Sequence, residues 1–138
     1  MQVRDVMTKD CKWCTPTTKL IEAAKLMAKN DFGSIPVADN DRLVGMVTDR
    51  DIVVRGVAQG KDPNATKLGD VMSSKLYYCF DDQSCDEVAA NMADIQVRRL
   101  PVVDRNKALV GFVSLGDLAR QTNSHEAEEA LKGVSRAA

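Results

Sequence analysis

Two short stretches of this chain hold a hydroxyl and a carboxylate three residues apart: Thr48 and Asp51 in GMVTDRD, Ser114 and Asp117 in GFVSLGD. At a strand-to-helix junction this spacing marks a helix N-terminus. The hydroxyl caps free backbone N–H groups and the acid favours the positive end of the helix. The same pair suits a second chemistry. A carboxylate can accept two hydrogen bonds from a vicinal diol such as the 2′,3′ pair of a ribose. The neighbouring hydroxyl and first-turn N–H groups suit a phosphate. Capping boxes prefer Glu or Gln at the third position, because the longer side chain reaches back to the cap N–H. Both stretches use Asp. Spacing favours capping, the use of Asp is less well explained by capping alone, and the two roles are compatible, since capping can be complete in the empty state.

Cysteine offers a rival chemistry. Cys11 and Cys14 form C-x-x-C, but the segment CKWCT reads as a strand, in which residues three apart point to opposite faces. Cys79 and Cys85 form no second such pair, and the one histidine, His125, lies far along the chain. The cysteines are expected to be reduced and packed as small apolar residues, with no metal site. A redox- or metal-responsive protein built on them is the alternative reading. Neither stretch holds a nucleophile beside a base, and neither a G-x-x-x-x-G-K-[ST] loop nor a G-x-G-x-x-G turn occurs, so no enzyme is expected.

The net charge of −1, with basic residues scattered among acidic ones, gives no pull towards nucleic acid or acidic lipid. Apolar runs fall far short of the ~20 residues that span a bilayer. The opening MQVRDVMTKD has no apolar signal core, and a cytoplasmic location is expected.

The elements that must hold these residues are written twice. RDVMT at 4–8 matches GDVMS at 69–73 at an offset of 65 residues, Val6 onto Val71. That offset also pairs Cys14 with Cys79, Glu22 with Glu87, Met27 with Met92, and SIPVAD with RLPVVD. One residue is then inserted in a turn, and at an offset of 66 Thr48 meets Ser114 and Asp51 meets Asp117. Each copy reads as a short strand (about 11–15, about 76–80), a helix with apolar residues three and four apart, two strands, and a closing helix. The closing helices are expected from about Asp49 to Val57 and from about Leu115 to Gln121. The strand pairs turn at Asn40-Asp41 and Arg105-Asn106, and the prolines of IPV and LPV are expected at a strand start or edge. Met7, Met27, Met72 and Met92 are expected in cores. The fold class is thus α/β (α+β), with β-α-β-β-α written twice and the copies packed by pseudo-two-fold symmetry. The partition is 1–60 for the first repeat, 61–66 for a linker, 67–122 for the second repeat and 123–138 for a C-terminal helix or tail capped by Ser124.

These residues resemble the CBS domain. The likeness rests on V-M-T at 6–8, Glu22-Ala23 in the first helix, I-P-V-A-D at 35–39 and G-M-V-T-D-R-D at 45–51, repeated as V-M-S, L-P-V-V-D and G-F-V-S-L-G-D. It spans roughly residues 3–122, and the TDRDIVVR wording resembles bacterial stand-alone two-CBS proteins. The resemblance implies a tandem pair, a Bateman module, that dimerises and binds adenosine-containing ligands such as AMP, ADP or ATP in clefts between its repeats. It implies ribose binding by Asp51 and Asp117, and phosphate contacts by Thr48, Ser114, Arg50 and Arg99, with Arg98 adjacent. Arg98 and Arg99 also fit a solvent-exposed strand start. The implied base pocket comprises Trp13, Cys14, Ser34 and Ile35 in one repeat, and Tyr78, Cys79, Arg99 and Leu100 in the other. Trp13 and Tyr78 could stack on a purine or serve as core or dimer contacts. The module would be a non-enzymatic regulator needing no cofactor, with the nucleotide as its regulatory ligand. It would signal to an unidentified regulated protein or through a homodimer, and the two sites are expected to be unequal. A structural dimer with empty clefts is a further alternative.

Overall fold

Leu20, Ala23 and Met27 recur three and four residues apart, and all three are buried on one side of helix α1, Leu20–Asn30. Lys19 gives this helix no side-chain cap. Its first N–H groups are met instead by a returning loop: Leu20 N–H donates to Thr66 O at 2.8 Å and Ile21 N–H to Pro63 O at 3.0 Å. The helix stops at Asp31, in the left-handed region at φ 54°, and its counterpart α3, Cys85–Ile95, stops at Gln96 at φ 58°.

The computed structural model describes residues 1–119, which form two units. The expected C-terminal helix over 123–138, its Ser124 cap and the end of the last helix at Gln121 lie outside the described residues.

One unit is Lys12–Leu76. After α1 come β1, Ser34–Asp39, and β2, Arg42–Thr48, antiparallel and joined at Asn40 and Asp41, both with positive φ. The closing helix α2 begins as Asp49–Asp51, continues as a π turn over Ile52–Gly56 and ends as a 3-10 turn over Val57–Gln59. A 3-10 turn, Leu68–Asp70, then places Leu68 and Val71 in the same core as Leu20, Ile35, Val37 and Val47. Ser73 exchanges backbone hydrogen bonds with Met46 at 2.9 and 3.1 Å and so extends the hairpin beyond β2.

The other unit joins Met1–Cys11 to the chain from Tyr77 onward. Strand β3, Cys79–Phe80, runs parallel to β4, Arg99–Val103, which pairs antiparallel with β5, Leu109–Ser114. Helix α3 packs its Val88, Ala89 and Met92 into the core, and α4, Leu115–Ala119, adds Leu118. The first residues of the chain complete this unit. Val3 is fully buried in its core, and Thr8 exchanges backbone hydrogen bonds with Phe112 at 2.9 and 3.0 Å.

The duplication is therefore as expected, but each core closes with the other repeat's leading segment: 1–8 belongs with the second repeat and 67–73 with the first. Glycine permits the approach. A Cβ on Gly45 would lie 2.8 Å from Met72 Sδ and 3.0 Å from Ser73 O, and one on Gly111 would lie 2.7 Å from Met7 Sδ and 2.8 Å from Thr8 O. Met27 and Met92 are buried as expected, and Met7 and Met72, half-buried over these glycines, pack against the cores.

The first strand of each repeat is shorter than expected. Around Cys14 it is a single bridge to Val37, and in the second copy it is two residues. Pro36 and Pro101 account for this. They stand third in β1 and β4 rather than at a strand start. The donor each one lacks would have extended the parallel ladder back to residues 12 and 77.

Candidate functional site

The carboxylates close a capping box in both repeats. Asp51 N–H donates to Thr48 Oγ1 at 3.0 Å, while Thr48 N–H donates to Asp51 Oδ2 at 2.9 Å. Ser114 and Asp117 repeat this at 3.1 and 2.9 Å. Capping is thus complete in both repeats, with Asp in the place usually taken by Glu or Gln. The turn from strand to helix is tight enough for the shorter side chain to reach the cap N–H. Capping occupies Oδ2 of Asp51, and the side chain accepts no other hydrogen bond among the described residues. Asp51 and Asp117 are both half-buried. A diol would therefore meet a carboxylate already oriented by its own helix.

Register brings further residues to the same end of each hairpin. Ser34 pairs with Thr48 and Arg99 with Ser114. Asp49 N–H donates to Gly33 O at 2.9 Å and Leu115 N–H to Arg98 O at 3.0 Å, tying strand start to helix start. Ser34, Thr48, Arg50 and Asp51 therefore gather in one unit, and Arg98, Arg99, Ser114 and Asp117 in the other. Arg50, Arg98 and Arg99 are exposed and make no ion pair among the described residues.

A family model of the CBS domain matches residues 3–56 and again residues 68–123. The chain belongs to the CBS domain family. It is similar to the uncharacterized protein YlbB of Bacillus subtilis, 44% identical over 137 residues that make up 97% of this chain and 91% of YlbB. Among solved structures it resembles hypoxic response protein I with two coordinated zinc ions, with a TM-score of 0.80 and 38% identity over 89% of this chain and 100% of that one. It also resembles CBSX2 of Arabidopsis thaliana in complex with AMP, with a TM-score of 0.74 and 27% identity over 86% of this chain and 93% of that one.

Within the CBS repeats the other expected site residues divide by burial. The side chains of Ile35, Leu100, Cys14 and Cys79 all point into cores, so only their backbone can meet a ligand. Cys14 N–H donates to Pro36 O at 3.0 Å, which sets Trp13 beside the start of β1. Trp13 is exposed and makes no ring contact among the described residues. Tyr78 differs. Its ring stands edge-on to Phe80 at 5.7 Å, and Phe80 in turn lies 4.2 Å beneath the Arg105 guanidinium. Arg105 grips Asp82 through two hydrogen bonds of 2.6 and 2.8 Å, which hold that carboxyl below its usual range. The matched aromatics are thus not equivalent: one is free and the other braced. Sequence reasoning missed this clasp, because Phe80, Asp82 and Arg105 meet only when β3 pairs with β4.

All four cysteines are free thiols, with Cys14, Cys79 and Cys85 buried and Cys11 half-buried. Burial raises the pKa of each, and Cys79 is pushed up to about 12, with Cys85 and Asp81 adding to the effect. The thiolate that redox chemistry requires is disfavoured in each. Among the described residues no three His, Cys, Asp or Glu side chains gather in a metal-holding group. Nor is any described helix long and apolar enough to cross a membrane.

Proposed function

We propose that this CBS pair is a non-enzymatic sensor of adenosine-containing nucleotides. The observation that carries the reading is the duplicated hairpin end. Each offers a carboxylate pre-set by capping, a hydroxyl beside it, and arginine without an ion pair among the described residues. Asp51 and Asp117 would accept from the ribose hydroxyls. Thr48 with Arg50, and Ser114 with Arg98 and Arg99, would meet phosphate. Backbone at Ile35 and Leu100 would meet the base, with Trp13 and Tyr78 beside it. The AMP held by CBSX2, a related pair, supports the ligand class.

Occupancy becomes a signal only through a difference in affinity between two states. The pair would pass that difference to a second copy or to a regulated protein. Val53, Val54 and Val57 leave an exposed apolar stripe along the closing helix of the first repeat, which supports self-association. The test is thermal unfolding with AMP, ADP or ATP at millimolar concentration. Linkage predicts a higher melting temperature that saturates with ligand, partly lost in Asp51→Ala and again in Asp117→Ala. An unmoved melting temperature with every adenosine compound would overturn the reading.

A further inference from the structure

The two hairpin ends share a backbone geometry and differ in charge. In Lys12–Leu76 the chain enters β1 through Gly33, and a Cβ at that glycine would lie 3.1 Å from Asp49 Oδ2. The Asp49 carboxylate therefore folds back over the strand start. The N–H of Arg50 holds its Oδ1 at 2.8 Å, and its own N–H donates to Gly33 O at 2.9 Å. It stands next to Ser34, the residue paired with Thr48.

The other unit keeps the backbone bond, Leu115 N–H to Arg98 O at 3.0 Å, and changes the side chains. Arg98 replaces Gly33, Arg99 replaces Ser34, and Leu115, buried in the core, replaces Asp49. Counted with Asp51 and Asp117, the first hairpin end carries one excess negative charge and the second one excess positive charge.

We propose that the two repeats divide adenosine ligands by charge. Asp49 offsets Arg50 and weakens the first repeat's hold on phosphate, so that this repeat prefers an uncharged or cationic adenosyl compound, and Arg98 with Arg99 turns the second towards a phosphorylated one. The proposal rests on the adenosine reading and adds a determinant of specificity, Asp49, to it. A carboxylate several ångströms from a phosphate dianion in wet surroundings weakens binding on the order of tenfold.

The experiment is a nitrogen-15 amide titration of the full chain with adenosine and with AMP, which share base and sugar. The Gly33 and Gly116 amides report the two repeats separately. The Gly33 resonance should saturate at lower adenosine than AMP, and Gly116 should do the reverse. Asp49→Asn should raise the AMP-to-adenosine affinity ratio at Gly33 by on the order of threefold to tenfold and leave the ratio at Gly116 alone. Arg99→Ser should lower the ratio at Gly116. Equal preference at the two amides, or a ratio at Gly33 unmoved by Asp49→Asn, overturns the charge division while leaving nucleotide binding intact. No response of either amide to either compound overturns the adenosine reading, and the division with it.

Discussion

Asp51 serves its helix with one oxygen, Oδ2, which separates the structural use of the side chain from any use in binding. Asn at position 51 keeps an oxygen for the Thr48 N–H and loses the charge, whereas Ala loses both. Thr48→Ala and Asp51→Ala should therefore each lower unfolding free energy by about 1 kcal/mol in urea titration, the usual worth of a cap. Asp51→Asn should cost little stability yet lose most of its repeat's share of nucleotide stabilisation. Cys79 supplies a prediction in pH. Its folded pKa, about 12, stands above the ordinary thiol value of 9.0. The protonated thiol is thus preferred in the folded chain. The stability this confers is complete below pH 9 and falls as pH rises towards 12. Urea midpoints should drop across that window, and Cys79→Ala should flatten the drop whatever it costs at neutral pH. At this scale the hydroxyl and aspartate were legible from spacing, but the closure of the box was not. Reach depends on the turn's backbone angles, which a residue type does not encode.

Among the elements, the hairpins and helices followed from alternation and from the three–four spacing of Leu20, Ala23 and Met27. Two features escaped for identifiable reasons. The leading strands were read as about five residues each, over 11–15 and 76–80. Their length is set instead by Pro36 and Pro101 on the neighbouring strands, which withhold the donors a longer ladder needs. The loop over 61–66 read as a linker, and it also caps α1 through the carbonyls of Pro63 and Thr66. Gly45 and Gly111 test how closely the leading segments pack. At Gly111 an added methyl would meet a backbone oxygen at 2.8 Å as well as Met7 sulfur, and at Gly45 the corresponding oxygen is at 3.0 Å. Sulfur at the end of a flexible side chain can yield, whereas backbone oxygen yields less. Both alanine variants should lose about 1–3 kcal/mol by urea titration, with Gly111→Ala the worse.

For the whole molecule, matching RDVMT to GDVMS reveals duplication but not partnership. Each leading segment is chemically equivalent to the other, so either could close either core, and the sequence is equally consistent with both arrangements. The fold resolves this by exchange. Leu68 and Val71 belong to the first repeat's core, and Val3 to the second's. Burying Leu68 and Val71 is worth about 1.5–3 kcal/mol each, a large part of the stability of a unit this size. A fragment of residues 12–76 should thus melt cooperatively by circular dichroism. A fragment of residues 1–60, a full repeat by sequence, should not. Equal cooperativity in the two fragments would contradict the exchange.

The account turns on adenosine binding at the two capped aspartates, and calorimetric titration of the intact chain with adenosine and AMP tests it most directly. Saturable heat is expected with at least one compound in the native chain, and it should vanish in the Asp51→Asn, Asp117→Asn double variant while that variant stays folded. Flat titrations of the native chain, or undiminished heat in the double variant, would contradict it.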